Sequence, residues 1–305
     1  MSRILKIGTR ESKLAVWQAQ LVQGLLQQHG YESELVYITS EGDIDLKTPL
    51  YELGVQGIFT KTLDIALLEG RIDLAVHSMK DVPTILAKGI VQAAVLERGT
   101  YKDLLVFKGN TDFLNDTNSQ AVIATSSIRR KAQWLNRYPN HIIENLRGNV
   151  NTRLQKVADS NWDGAIFAAA GVERINVRPE NSIELDWMLP APAQGAIMVV
   201  CKEIDYTTLG ACSLLNHPNT ALCTSIERAF LRTLMGGCAT PISAHAEVRG
   251  DMLEFKGSIL SVDGKQKKEV NKIVPKADTN VGRQAAEEIL QDGGQAILDK
   301  IRNAN

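Results

Sequence analysis

Four short stretches of this chain hold residue types that can do chemistry. Thr125-Ser126-Ser127-Ile128-Arg129-Arg130 follows the strand-like run AVIAT and opens a helical pattern. Unpaired N–H groups at a helix start attract anions, and the hydroxyls add donors. Two arginines in a first turn work against the helix dipole, a cost that a bound anion would offset. A serine cap with two exposed arginines is the bland alternative. Leu146-Arg147-Gly148-Asn149-Val150, with Arg153, repeats the form: strand end, glycine, helix start, arginine. His77-Ser78-Met79-Lys80-Asp81-Val82-Pro83 leaves the run IDLAVH, with Asp81 the only carboxylate in the turn. A lone carboxylate among cations is expected to hold its charge, and it can steady a cation or move a proton. Spacing alone favours an ordinary Lys80–Asp81 surface turn, and His77 reads as a structural residue. Gly236-Gly237-Cys238-Ala239-Thr240-Pro241 leaves Cys238 on a loop, where a thiol is more available than on an apolar helix face. For any single cysteine an inert thiol is the default. Arg10 and Ser12 lie between the first strand and first helix, as an arginine and a helix-start hydroxyl.

Charge supports an acidic ligand. The 305 residues carry 34 Lys+Arg against 35 Asp+Glu, a net of −1, which argues against a nucleic-acid partner. Between Ala121 and Lys156, however, seven basic residues meet a single acid, Glu144, and five of the seven are arginines. Arginine grips carboxylates and phosphates bidentately; a solvated basic face is the competing reading. At 44% hydrophobic and 23% charged residues the chain is neither disordered nor collagen-like. The four cysteines form no CxxC pair and the five histidines are scattered, so no metal is expected. Cys201, Cys212 and Cys223 read as packing residues. MSRILKIGTRES is broken by Lys6 and Arg10 and does not read as a signal peptide. The apolar tract from Trp187 to Cys201 contains Pro190, Pro192 and Gln194 and cannot be a membrane helix. A cytoplasmic protein with reduced thiols and no membrane partner is expected.

The elements that must position these residues alternate. ILKIG, ELVYIT, IDLAVH, VQAAVLE, DLLVF, AVIAT, HIIENL and DGAIFAA read as strands. Between them, helical periods run through Leu14, Trp17, Leu21, Val22 and Leu25, with Gly30 as the stop, and through 58–69, 127–137 and 149–159. Such alternation predicts parallel sheets with helices on both faces. After about residue 217 the pattern changes. A helix is predicted over 219–235, with Leu222, Ile226, Phe230 and Leu234 on one face, then strands near 243–249, 252–260 and 267–274, and a closing helix over 280–302. This order predicts a small α+β domain.

The motifs IGTRESKLAVWQA, DIAL with RIDLAVHSMKDVP, ATSSIRRKAQ, LRGNVNTRL, AAAGVERI and GGCATPI stand in one order along nearly the whole chain. Together they resemble the porphobilinogen deaminase (hydroxymethylbilane synthase) family of tetrapyrrole biosynthesis. The resemblance implies a transferase that joins four porphobilinogen molecules head to tail into linear hydroxymethylbilane, releasing ammonia. It implies a dipyrromethane cofactor tethered through a thioether to Cys238, and a catalytic role for Asp81. The cofactor would be held by Lys80, Asp81, Thr125, Ser126, Ser127, Arg129, Arg130, Arg147 and Gly148. Substrate would be held by Arg10, Ser12, Gln18, Phe59, Arg147, Arg153 and Arg174. Each unit brings two carboxylates, which a dense arginine field suits. Positive charge develops on pyrrole nitrogens as ammonia leaves. An ionised Asp81 beside them would be worth several kcal/mol, by analogy with about 3 for one oxyanion-hole donor.

The implied fold is α/β: two doubly wound lobes resembling a two-lobed (type II) periplasmic binding protein, plus a small C-terminal α+β domain. Lobe 1 would take residues 1–98 and 197–216, lobe 2 residues 99–196, and the cysteine-bearing domain residues 217–305. The family suggests a monomer. Three positions depart from its pattern: Gln56 for a lysine in GGKGLF, although Lys61 remains; Ala193 for a glycine before Gln194; and Ser243 where PIG is usual. Fold alone fits a non-enzymatic two-lobed module for small anions equally well, but such a module leaves Cys238 and Asp81 unexplained.

Overall fold

A computed structural model describes residues 3–39, 60–234 and 240–303. Phe59, Gln56 and Cys238 lie outside them. In chain order the strands and helices are β1 (Leu5–Thr9), α1 (Lys13–Gln28), β2 (Ser33–Tyr37), α2 (Lys61–Leu68), β3 (Leu74–Ser78), β4 (Ile90–Val95), β5 (Asp103–Phe107), β6 (Val122–Ala124), α3 (Ile128–Arg137), β7 (Ile142–Glu144), α4 (Val150–Asp159), β8 (Gly164–Ala168), α5 (Ala169–Glu173), β9 (Ser182–Glu184), β10 (Ile197–Lys202), α6 (Tyr206–Ser213), α7 (Pro218–Thr233), β11 (Ile242–Arg249), β12 (Met252–Leu260), β13 (Lys267–Pro275), α8 (Val281–Ile289) and α9 (Gln295–Asn303). The described residues form two compact units. One takes those up to Thr100 together with Gln194–Leu222; the other takes Tyr101–Ala193 and those of Cys223–Asn305.

The first unit holds a five-stranded sheet of order β2-β1-β3-β10-β4. β2, β1 and β3 run parallel, with Ile7 opposite Leu35 on one side and Leu74 on the other. β10 is antiparallel to both β3 and β4. In the second unit the sheet β7-β6-β8-β5-β9 repeats this plan: β7, β6 and β8 are parallel, and β5 runs against β8 and β9. The expected all-parallel sheets are thus mixed. The physical reason lies in the connections. β5 follows β4 directly in the chain yet inserts into the second sheet, and β10 returns afterwards into the first. Each lobe is completed by a strand that enters from the opposite direction.

Burial explains the elements. β1, β3 and β10 pack Ile7, Leu74 and Val199 against Ala19, Val22 and Leu26 of α1. The buried stripe of α1 lies on these residues, so Leu21, expected on the inner face, is exposed. His29 caps α1 and Gly30 follows at φ 82°, as a helix stop requires. In the second unit two cores flank the sheet, one with Leu104, Phe167 and Val172, the other with Leu105, Ile166 and Trp134.

The antiparallel sheet β11-β12-β13 also belongs to the second unit. Ile226, Phe230 and Leu234 of the α7 stretch are buried as predicted, and Phe230 meets Phe255 edge-on at 5.3 Å between centroids. Gly257 leaves room for that ring: a Cβ there would lie 2.6 Å from Phe230 Cζ. The single closing helix is in fact two, because Gly293 at φ 95° breaks it between α8 and α9. Two α/β lobes and a smaller C-terminal α+β part match the expected fold class.

Candidate functional site

In the first unit, candidate residues gather where the parallel strands β1 and β3 end. This is the edge at which open α/β sheets bind ligands. Arg10 follows β1, and Ser12 caps α1, its hydroxyl accepting from the Ala15 N–H at 3.4 Å. Gln18 is buried and donates from Nε2 to Ser78 Oγ at 2.9 Å, tying α1 to the end of β3. A single 3₁₀ turn, Met79–Asp81, leaves β3. Met79 anchors it in the core, Asp81 is exposed, and Lys80 Nζ donates to Gln194 Oε1 at 3.2 Å. His77 is buried. Loss of solvent, and next the Arg10 guanidinium, pull its imidazole down to about 4, so it is neutral at pH 7. The structural reading of His77 therefore holds.

In the second unit, separate candidate residues lie at the ends of β6, β7 and β8. Ser127 caps α3, and Thr125 Oγ1 accepts from the Ser127 N–H at 3.2 Å. Ser126 Oγ accepts from the Leu146 N–H at 3.1 Å and donates to Asn145 Oδ1 at 2.8 Å, joining the two loops that follow β6 and β7. Arg129, Arg130 and Arg147 are buried, which overturns the solvated-face reading for these three. Burial lowers Arg129, with the Asp103 carboxylate acting the other way. Gly148 at φ 116° shapes the loop before Asn149, the cap of α4. Arg153 Nε turns back to the Gly148 carbonyl at 2.6 Å. Arg174 caps the C-terminus of α5, and burial lowers it to about 10, still fully charged at pH 7.

The anion set against the two first-turn arginines is the protein's own. Asp103, wholly buried at the head of β5, accepts from Arg129 Nη2 at 2.8 Å and from Arg130 Nη2 at 2.7 Å. Sequence reasoning took DLLVF only as a strand. An acid opening an apolar buried run was the available signal, since a buried carboxylate requires a partner. Gln194 and Glu227 were missed as well. Buried Glu227 accepts from the N–H groups of Ala193 at 2.6 Å and Ala246 at 2.7 Å. Ala193 stands at φ 62°, the left-handed region, which explains why glycine is usual there. At Gly195, a Cβ would come within 2.8 Å of the Gly99 and Thr100 carbonyl oxygens.

Cys201, Cys212 and Cys223 are buried, and burial raises Cys201 to about 11 and Cys212 to about 12, so these two are inert packing thiols. Among the described residues no group of three or more His, Cys, Asp or Glu side chains is placed to hold a metal. None of the described helices is long and apolar enough to cross a membrane. Hydroxyls and guanidinium groups at strand ends suit a ligand that carries several carboxylates. Dipyrromethane is such a ligand, and the residues present fit it.

Residues 5–209 match the family described as "Porphobilinogen deaminase, dipyromethane cofactor binding domain", and residues 221–291 match "Porphobilinogen deaminase, C-terminal domain". The chain is 40% identical over 311 residues to the porphobilinogen deaminase of Chlorobium phaeobacteroides (strain BS1), covering 99% of each. It is 42% identical over 302 residues to that of Syntrophotalea carbinolica, covering 97% of this chain and 96% of the relative. Among solved structures, the methionine-binding protein MetQ aligns over 74% of this chain and 93% of its own at TM-score 0.44 and 13% identity. The probable amino-acid ABC transporter extracellular-binding protein ytmK from Bacillus subtilis aligns over 70% and 91% at TM-score 0.45 and 10% identity. Likeness this distant does not speak to function.

Proposed function

The chain belongs to the porphobilinogen deaminase family, and from that premise we propose how its residues divide the work. The activity is the stepwise, deaminating head-to-tail joining of four porphobilinogen molecules into hydroxymethylbilane, with dipyrromethane as cofactor. A purely anion-binding module is not favoured. Asp81 is the catalytic carboxylate: exposed beyond β3, it steadies the positive charge that develops on pyrrole nitrogen as ammonia departs. Lys80, Thr125, Ser126, Ser127, Arg129, Arg130, Arg147 and Gly148 hold the cofactor's acidic arms. Arg10, Ser12, Gln18, Phe59, Arg147, Arg153 and Arg174 receive the substrate. When bound, the cofactor supplies the nucleophilic pyrrole carbon and the carboxylates that this field grips.

The attachment point in this reading is Cys238, as the family resemblance implies; Cys201, Cys212 and Cys223 are buried in packing positions. Division into lobes 1–98 with 197–216, 99–196, and a domain 217–305 belongs to the same reading, as do a monomeric state and a cytoplasmic location. The observation that carries it is the gathering of buried arginines and hydroxyls at the strand ends of a chain matched to the family across both of its parts.

Intact-protein mass spectrometry of the purified chain is expected to show an adduct of two porphobilinogen units, mapped by peptide analysis to Cys238. Asp81→Ala should retain that adduct and lose turnover. An active chain without the adduct contradicts the tether, and normal turnover in Asp81→Ala contradicts the role of the carboxylate.

A further inference from the structure

Arg129 and Arg130 are consecutive on α3, so their side chains leave the helix about 100° apart. Both nevertheless reach one carboxylate. Asp103 Oδ2 accepts from Arg129 Nη2 at 2.8 Å, while Oδ1 accepts from Arg130 Nη2 at 2.7 Å and Nε at 3.2 Å. A second acceptor fixes each guanidinium: the Leu189 carbonyl takes Arg129 Nη1 at 2.8 Å, and the Ile166 carbonyl takes Arg130 Nη1 at 3.0 Å. Asp103 is held in turn by the sheet, in register opposite Ala168, with its own carbonyl accepting from the Leu185 N–H at 2.9 Å. Its carboxylate is fully buried. The Asp103 carboxylate thus offsets one of the two guanidinium charges at the head of β5.

We propose that Asp103 is a positioning residue for the polymerisation: it aims the Arg129 and Arg130 guanidinium groups and halves their joint charge, so that the cofactor's acidic arms are gripped yet can shift as the bound chain lengthens. A pair at twice the charge would hold each arm more tightly and slow its advance. A displaced pair would meet the arms at the wrong angle, because bidentate recognition is directional. The proposal rests on the assignment of Arg129 and Arg130 to acidic arms made above.

The test compares the wild type with Asp103→Glu, which keeps the charge but shifts the guanidinium groups by a methylene, and with Asp103→Asn, which keeps the shape and removes the charge. Each protein is exposed briefly to a small excess of porphobilinogen and its bound chain lengths are read by intact mass. Among folded molecules, both variants are expected either to load no primer or to extend it at least about tenfold more slowly, with chains accumulating at one length. KM is expected to change less than about threefold, because the arms concerned are already on the enzyme. A merely structural role would lower the folded fraction and leave the chain-length distribution of the folded molecules unchanged. Adduct-bearing Asp103→Glu that extends at the wild-type rate overturns the proposal, and so does failure of both variants to fold. A wild-type chain without any adduct overturns the functional reading, and this proposal with it.

Discussion

At His77 and Asp64 in the first unit, loss of solvent is the leading cause of a shifted titration. The unfolded imidazole titrates near 6.5 and the folded one near 4. Between those values the unfolded chain binds a proton that the folded chain does not, so stability falls as pH drops through that window. The full effect is about 3 kcal/mol. Asp64 on α2 acts in the opposite sense. Desolvation raises it from 3.8 to about 6, so the folded chain holds the extra proton and stability falls as pH rises across that range. The two windows overlap and partly cancel in the intact protein. His77→Gln is therefore expected to flatten or reverse the acid limb of stability between about pH 6.5 and 4 in denaturant melts. An unchanged limb would show that another group sets it. Histidine in an apolar strand was legible as structural from sequence; Asp64 was not, because one carboxylate in an amphipathic helix looks like any surface acid.

Between elements, the contact of α3 with the C-terminal sheet bears on the site, because α3 carries Arg129 and Arg130. Gln133 Nε2 spends its two hydrogens on the Leu189 carbonyl at 2.9 Å and on Ser243 Oγ at 3.0 Å. Ser243, which departs from the family's PIG pattern, is thus a buried acceptor. Asn136 Nδ2 donates to the Gly264 carbonyl at 2.7 Å, and Gly264 sits at φ 74° with no room for a Cβ, which would lie 2.5 Å from the Ala132 carbonyl oxygen. Ser243→Ala leaves one amide hydrogen buried without a partner and is expected to cost about 1–3 kcal/mol in urea melts. Gly264→Ala is expected to cost more, since backbone must move. No loss in either variant would mean that this contact does not couple to folding. Helix limits here were readable from periodicity, and 127–137 became Ile128–Arg137. The break at Gly293 was not, because a glycine inside a helical pattern is often tolerated.

Across the whole molecule, near-zero net charge conceals a strongly basic window between Ala121 and Lys156. A substrate with two carboxylates is drawn by that local field, which salt screens over about 10 Å at 0.1 M and about 3 Å at 1 M. We expect kcat/KM for porphobilinogen to fall several-fold between about 0.05 and 0.5 M NaCl, in steady-state assays at fixed pH. A flat salt profile would limit the arginines to contact-range clamping of groups already bound.

The amino-acid order by itself determined the strand and helix alternation, the change of pattern near residue 217, the family and the roster of candidate residues. These follow from local periodicity, glycine placement and motifs read along the chain. Only the tertiary structure decided which strand completes which sheet, that Arg129, Arg130 and Arg147 are buried, and that Asp103 sets its carboxylate between the first two. Those outcomes depend on contacts between residues distant in the chain, where the cost of burying a charge is met by a partner that local pattern does not name.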